Sequence, residues 1–141
     1  MGMRDFTQLK VWVRSHQLTL AIYEATVAFP REEQYGLKSQ IRRSCASIPA
    51  NIAEGCGRGT NADLGRYLQM VLGSASELQY HLYLAHDLSI LKRRDHERLS
   101  KEVIEIKRML ENLHREPQSL RQPDLKPETC SLKPIAKAGV S

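Results

Sequence analysis

The chain has 141 residues, of which 41% are hydrophobic and 26% are charged, and its formal net charge is +5. This size and composition fit one globular domain with a single core and exclude a disordered chain. No apolar run approaches the roughly 20 residues that span a bilayer, and residues 1–10 lack the features of a signal peptide. These observations predict a cytoplasmic protein with no membrane partner.

The positive charge is only a mild indication of function. Residues 1–116 contain 17 lysines and arginines against 14 aspartates and glutamates, a surplus of 3. A basic surface favours a polyanionic partner such as RNA, DNA or an acidic protein. The cysteines do not indicate a metal site, because no CxxC or Cys/His pair has zinc-ligand spacing. The sequence therefore predicts reduced thiols, no metal and no cofactor.

Hydrophobic residues recur with helical periodicity from the start of the chain. The first predicted helix covers residues 7–29 and ends at Phe29-Pro30, because a residue before proline disfavours the α conformation. The second begins near Gln34, ends in the glycine-rich residues 55–59, and contains Pro49, which predicts a kink. Their predicted apolar faces are Leu9, Trp12, His16, Leu20, Tyr23 and Val27 in the first, and Leu37, Ile41, Cys45, Ile48 and Ile52 in the second.

Two further helices have the clearest periodicity in the sequence. One covers residues 62–90 with an N-cap at Thr60 or Asn61, and the other starts near Asp95 and stops before Pro117. Their apolar faces are Leu64, Leu68, Val71, Ala75, Leu78, Leu82 and Ala85 in the third, and Leu99, Val103, Ile106, Leu110 and Leu113 in the fourth. Four amphipathic helices with short connections predict an all-α, antiparallel up-down-up-down four-helix bundle over residues 1–116. The four prolines in residues 117–141 predict that this segment is a flexible basic tail.

A polar stripe runs beside the apolar face of the second helix. Its members are Gln40, Ser44, Ser47, Asn51, Glu54 and Arg58, and the third helix has a polar flank at Ser74, Glu77 and His81. Such a stripe should be partly buried and hydrogen-bonded, with Glu54 pairing with Arg43 or Arg58. Catalysis by Glu54, Glu77 and His81 is disfavoured, because no nucleophile motif, phosphate loop or metal set completes a site. The single Glu-x-x-His, Glu111 to His114, is too little for a di-iron bundle.

The best candidates for a binding surface are basic residues of the second and third helices. They are Lys38, Arg42, Arg43, Arg58 and Arg66, with a second cluster at the turn formed by Lys92, Arg93 and Arg94. Basic side chains neutralise phosphates and release counterions, which gives affinity for nucleic acid without sequence specificity. The alternative, a solvated face without a partner, is equally compatible with the pattern. Met70, Tyr83, Leu84 and Leu88 give the third helix extra apolar surface, which self-association would cover.

One stretch of sequence is specific enough to suggest a family. The run Ile41-Arg42-Arg43-Ser44-Cys45-Ala46-Ser47-Ile48-Pro49-Ala50-Asn51-Ile52-Ala53-Glu54-Gly55, followed by Gly57-Arg58, resembles the signature of four-helix bundle proteins encoded in intervening sequences of bacterial large-subunit ribosomal RNA genes. Residues 5–12, Gly73-Ser74 and Glu77-Leu78 agree with it, so the resemblance covers about residues 4–114. Cys56 and residues 70–72 depart from the usual pattern.

This resemblance implies a four-helix bundle that forms a homopentameric ring and has no enzyme activity. It also implies a likeness in fold to the accessory subunit of diversity-generating retroelements, which assists a reverse transcriptase through a basic surface. The leading hypothesis is therefore a homo-oligomer that binds structured RNA, and the alternative is an adaptor for a nucleic-acid-processing enzyme. The remaining motif residues are predicted to be structural. These are Ser47, Pro49, Asn51, Glu54, Gly55, Gly73 and Glu77. Four of them, Ser47, Asn51, Glu54 and Glu77, are predicted to hold the second and third helices in register around the kink at Pro49.

Overall fold

A computed structural model describes residues 5–117, which form four α-helices and contain no β-strand. The helices are α1 (Lys10–Thr26), α2 (Leu37–Gly57), α3 (Asn61–Asp87) and α4 (Arg93–Arg115), and short 3-10 helices occupy Phe6–Gln8 and Arg31–Glu33. The predicted all-α fold is confirmed. Most of the predicted tail, residues 118–141, lies outside the described residues.

The helices pack as an antiparallel bundle in the order in which they occur in the chain. Each helix contacts its sequence neighbours, and α1 also contacts α4, which closes the bundle. Within the described part of the chain, the diagonal pairs α1/α3 and α2/α4 have no Cα atoms within 8 Å of each other. The up-down-up-down arrangement is therefore as predicted. The contact between α2 and α3 is the most extensive of the four, and that between α1 and α4 is the least.

The core is built from the apolar faces that the periodicity indicates in α2, α3 and α4. All of the predicted core positions in these three helices are buried, and most have no solvent-accessible surface. Burial of such side chains contributes roughly 25 cal/mol per Å² of apolar surface, which makes this core the main source of stability. Three of the four helices are thus oriented by a regular heptad-like spacing that the sequence displays directly.

The prediction of which face of α1 is buried is wrong over most of the helix. His16, Leu20, Tyr23 and Val27 are exposed, with Val27 at 69%. The buried face of α1 instead includes three polar residues, which disguise it in the sequence. These are Arg14, Ser15 and Thr26, alongside Val11, Leu18, Ala21 and Ile22. The hydroxyls of Ser15 and Thr26 donate to the carbonyls of Trp12 and Ile22, so their burial leaves no unpaired donor.

The helix ends lie within a few residues of the predicted ones. Thr60 caps α3, its hydroxyl accepting a hydrogen bond from the Asp63 amide at 3.1 Å. At the other end, Ser89 adopts a left-handed conformation with φ of 61°, which stops the helix before Ile90. α2 continues through Pro49 to Gly57. None of the helices in residues 5–117 has the length and hydropathy needed to cross a membrane.

Candidate nucleic-acid interface

The five predicted nucleic-acid-binding residues do not form one cluster. Lys38, Arg42 and Arg43 lie in the first two turns of α2, and Arg58 follows its last residue. Fifteen residues separate Arg43 from Arg58, which is roughly 22 Å along a helix axis at 1.5 Å per residue. Arg66 lies with Arg58, because both guanidinium groups are placed over the Tyr67 ring. The structure therefore divides the candidates into two groups near opposite ends of α2.

Arg42 joins the start of α2 to the end of α1. Its Nε donates to the Thr26 hydroxyl at 2.8 Å, and its Nη2 donates to the Tyr23 carbonyl at 3.0 Å. The guanidinium carbon lies 4.4 Å from the centre of the Tyr23 ring, in cation–π geometry. All three contacts fix the side chain, yet none brings a carboxylate to it. Arg42 is thus an immobilised positive charge at the C-terminal end of α1, where a cation is favoured by the helix dipole.

Lys38 and Arg43 flank Arg42 on the same part of α2 but differ in their partners. Lys38 makes no ion pair with any residue in the described range. Arg43 forms an ion pair with Glu77 of α3 and also donates to the Gln40 side-chain oxygen at 2.8 Å. The three basic residues line a shallow depression at the start of α2, here called the α2 depression. Its other lining residues are Tyr23, Gln34, Tyr35 and Ser39.

The second group is largely neutralised by nearby carboxylates. Arg58 Nη2 donates to the Tyr67 hydroxyl at 2.8 Å and lies 3.2 Å from Glu54 Oε1. The hydrogen bond to Tyr67 is the main cause that raises the pKa of Arg58 above its ordinary value, and Glu54 adds to it. Arg66 pairs with Asp63 at 3.1 Å. These arginines lie in exposed ion pairs and present less uncompensated charge than Lys38 and Arg42.

Two of the four polar motif residues of α2 and α3 form contacts between these helices, and the other two form contacts within α2. Glu54 of α2 accepts a hydrogen bond from the Tyr67 hydroxyl of α3 at 3.0 Å, and Glu77 of α3 pairs with Arg43 of α2. These two side chains therefore form polar contacts between α2 and α3. Ser47 and Asn51 instead donate to the carbonyls of Ser44 and Ser47, so their hydrogen bonds remain within α2. The other predicted pair, Glu77 with His81, is a distant one at 4.0 Å.

The two motif glycines have different surroundings. A Cβ added to Gly55 would lie 2.9 Å from Tyr67 Cβ and 3.2 Å from Leu64 Cδ1, so α2 and α3 approach there more closely than alanine permits. A Cβ added to Gly73 would meet no atom within 4 Å among the described residues. The predicted structural role is therefore explained for Gly55, and no contact in the described chain requires glycine at position 73.

The most buried charged residues were not anticipated from the sequence. Arg14 of α1 and Glu102 of α4 are 6% and 1% exposed, and they form a bidentate pair. Arg14 Nε lies 2.8 Å from Glu102 Oε1, and Nη2 lies 3.0 Å from Oε2. Each occupies a position of the helical repeat that faces the core. This periodicity is the feature of the sequence that could have indicated their burial. The pair is structural, since it connects α1 to α4 away from the α2 depression.

Several apolar side chains along α3 and at its C-terminal end are exposed to solvent. Met70 and Tyr83 of α3 and Leu88, which follows its last residue, are more than half exposed, as is Tyr80. Leu84 is instead partly buried against the core, so the extra apolar surface predicted for this helix is present at three of the four predicted positions. Tyr67, in contrast, is buried. No set of three or more histidine, cysteine, aspartate or glutamate side chains in residues 5–117 is arranged to hold a metal ion.

Comparison with known proteins supports the resemblance read from residues 41–58. The family model described as the 23S rRNA-intervening sequence protein matches residues 7–112, which is most of the chain. The chain belongs to this family. The match covers both groups of basic residues and extends almost to the end of α4, so it includes all four helices of the bundle. No curated protein matches the sequence.

A solved structure resembles this member of the 23S rRNA-intervening sequence protein family over about three quarters of the chain. It is the crystal structure of a protein of unknown function from the S23 ribosomal protein family of Bacteroides thetaiotaomicron. The two proteins are 25% identical and superpose with a TM-score of 0.69, covering 76% of this chain and 99% of the other. The comparison agrees with the helical fold described above.

Proposed function

We propose that this chain is a non-catalytic, homo-oligomeric bundle that binds structured RNA through the basic residues at the start of α2. The observation that carries this proposal is the pair formed by Lys38 and Arg42. Arg42 is held by Thr26 and Tyr23 without a carboxylate, and Lys38 has no ion-pair partner in the described range. Phosphate oxygens are suitable partners for two such adjacent charges.

RNA is favoured over other polyanions by the family to which the chain belongs. The family is described by its relation to 23S rRNA intervening sequences, and the small charge surplus of residues 1–116 suits moderate, salt-dependent affinity. A binding role also fits the state of the carboxylates considered for catalysis. Glu54 is engaged by Arg58 and Tyr67, and Glu77 by Arg43. Neither is poised as a free acid or base.

Self-association is the second part of the proposal. Met70, Tyr83 and Leu88 expose apolar side chains along α3, and burial of such residues against another copy would stabilise an oligomer. The family resemblance implies a pentamer. A ring would repeat the α2 depression several times, and simultaneous contacts would raise the overall affinity for a long RNA by increasing the effective concentration.

RNA binding is tested by a salt series with the purified, nuclease-treated protein and a structured RNA. Lys38→Glu is the primary variant, because Lys38 has no structural contact of the kind that Arg42 has. Lys101→Glu is the matched control, since Lys101 is an exposed lysine on α4, diagonally across the bundle from α2. We expect Lys38→Glu to lower affinity at low salt and to reduce the slope of log K against log salt, and Lys101→Glu to do neither.

Two results would contradict the RNA hypothesis. One is the absence of binding at low salt, and the other is an equal loss in Lys38→Glu and Lys101→Glu, which would indicate non-specific attraction. Light scattering tests self-association separately. A Tyr83→Glu variant should dissociate the oligomer while preserving helix content. A monomeric wild-type protein would contradict self-association and would favour the adaptor hypothesis, in which the exposed face of α3 docks on another protein.

A further inference from the structure

We propose that the α2 depression holds one unpaired nucleotide of the RNA, with its base stacked on Tyr35 and its phosphate bound by Lys38 and Arg42. This inference rests on the proposed RNA binding and names the element of RNA structure that is recognised. Three observations lead to it: the exposure of Tyr35, the fixed position of Arg42, and the composition of the lining.

Tyr35 is the most exposed large hydrophobic residue of the described chain. It is 89% exposed and lies in the connection between α1 and α2, two residues before α2 begins. Its ring makes no aromatic or cation–π contact with another described residue, so both faces are open. Proteins that bind single-stranded nucleic acid place bases on such rings, and the interaction tolerates any base because every base has a π face.

Tyr23, which also lines the depression, has a different role. The Arg42 guanidinium covers its ring at 4.4 Å, so this face cannot accept a base. Arg42 uses Nε and Nη2 in its bonds to Thr26 and Tyr23, and Nη1 has no hydrogen-bond partner among residues 5–117. One nitrogen of a pre-oriented guanidinium therefore remains for a ligand. Little side-chain entropy is lost when it binds, because the group is already fixed.

The remaining lining suits a nucleotide and disfavours a cationic or wholly apolar ligand. Gln34 and Ser39 supply an amide and a hydroxyl that can bond to base edges or a ribose 2′-hydroxyl, and the described lining residues include no carboxylate. The phosphate is assigned to the side chains and not to the N-terminus of α2. That position is already occupied, since Glu33 Oε1 accepts a hydrogen bond from the Leu37 amide at 3.2 Å.

This arrangement distinguishes an unpaired nucleotide from a base-paired one. In a continuous RNA helix the bases are stacked on one another, so a duplex can offer phosphates to Lys38 and Arg42 but no base face to Tyr35. A loop or bulge can offer both. The depression therefore gives a preference for RNA with unpaired nucleotides that charge alone does not provide.

The test compares two RNAs with equal numbers of phosphates, a continuous duplex and a hairpin with a uridine loop. Wild-type full-length protein should bind the hairpin more tightly. Tyr35→Leu should lose roughly tenfold in hairpin affinity, the size expected for one base–aromatic stack, and leave duplex affinity unchanged. Tyr35→Phe keeps the ring and should retain the preference. With 5-iodouridine in the loop, irradiation should produce a cross-link that maps to Tyr35.

The outcomes separate this inference from the proposed function. The inference would be overturned if the wild type bound the two RNAs with equal affinity, or if Tyr35→Leu kept the preference for the hairpin. In either case, salt-dependent binding that is lost in Lys38→Glu would still support RNA binding. Failure of the wild type to bind either RNA would overturn both. Displacement of the hairpin by polyglutamate of equal charge would also overturn the inference, because it would show a site for any polyanion.

Discussion

The α2–α3 contact and the α1–α4 contact hold the same bundle together by different means. Between α2 and α3 the packing is extensive, Gly55 allows close approach, and the polar links Glu54–Tyr67 and Arg43–Glu77 involve charged side chains that remain partly exposed. Between α1 and α4 the packing is less extensive, and the buried pair Arg14–Glu102 lies within it. The α2–α3 contact depends on close packing at Gly55, and the α1–α4 contact depends on a buried ion pair.

This difference indicates where the molecule is sensitive to single substitutions. An exposed ion pair contributes little, because both charges remain solvated when one is removed. A buried pair need not add net stability, yet removing one member leaves the other charge in a low-dielectric site. The α1–α4 contact should therefore be the more vulnerable to loss of one polar side chain, although it is the smaller of the two.

The largest effect is expected from Glu102→Ala. It leaves the buried Arg14 guanidinium without its bidentate partner, and we expect the free energy of unfolding to fall by about 3–5 kcal/mol in urea denaturation. Glu111→Ala, an exposed position on the same helix, is the control and should change stability little. The double variant Arg14→Met/Glu102→Leu should recover most of the loss. A loss below about 1 kcal/mol for Glu102→Ala would contradict the importance of the pair.

The next largest effect is expected from Gly55→Ala, which tests the close approach of α2 and α3. The added methyl group would overlap Tyr67 Cβ, which cannot move without the backbone, so a loss of about 1–3 kcal/mol is expected. Gly73→Ala is a matched control in a helix interior with open space around it, and it should gain roughly 0.5–1 kcal/mol from helix propensity. Thermal unfolding of both variants checks the contrast. Equal destabilisation would mean that Gly73 also needs close approach, as at a contact with another copy.

A smaller effect is expected for the exposed link between α2 and α3. Arg43→Ala should cost about 0.2–1 kcal/mol, and a double-mutant cycle with Glu77→Ala should give a coupling energy in the same range. Because the pair is exposed, 1 M salt should reduce this coupling. A coupling above about 2 kcal/mol would place this link in the same class as Arg14–Glu102 and remove the distinction between the two contacts.

The smallest effect concerns the junction of α3 and α4, where the His86 and His96 rings stack with centroids 4.7 Å apart. Burial, followed by repulsion from His86, lowers the pKa of His96, although Asp87 and Glu97 oppose the shift. The unfolded state then binds more protons than the folded state as the pH falls below about 6.5, so stability declines in that range. His96→Gln should flatten the pH dependence of thermal unfolding between pH 7 and pH 5. An unchanged profile would assign the dependence to other groups.

The sequence predicts most of this fold because three helices have an uninterrupted apolar repeat. The seven predicted core positions of α3, from Leu64 to Ala85, are all buried. Helix α1 could not be oriented in this way, because Tyr23 and Val27 offered an apolar repeat on the exposed side while Arg14 interrupted the buried one. The partner that makes Arg14 burial possible is 88 residues away, and no local pattern reports it.

The sequence identifies the basic residues of the candidate site but does not show how they are arranged. The periodicity of α2 places Lys38 and Arg42 one turn apart, which the sequence alone indicates. The division of the five basic residues into two groups follows from helix length. What the sequence could not supply was the set of partners: Thr26 and Tyr23 for Arg42, and Glu77 for Arg43. The importance of Tyr35 also emerges only from its exposure beside these charges.

The position of the Arg14–Glu102 pair has a consequence for the order of folding. Helices α2 and α3 are joined by a short connection, so their contact closes a small loop, whereas the α1–α4 contact brings together segments far apart in the chain. Local contacts are favoured early in folding, because they require less loop-closure entropy. We expect substitutions at Gly55 to slow refolding and substitutions at Glu102 mainly to accelerate unfolding, as the two limbs of a chevron plot would reveal. A buried ion pair that forms late would then set the lifetime of the folded bundle more than the speed at which it is reached.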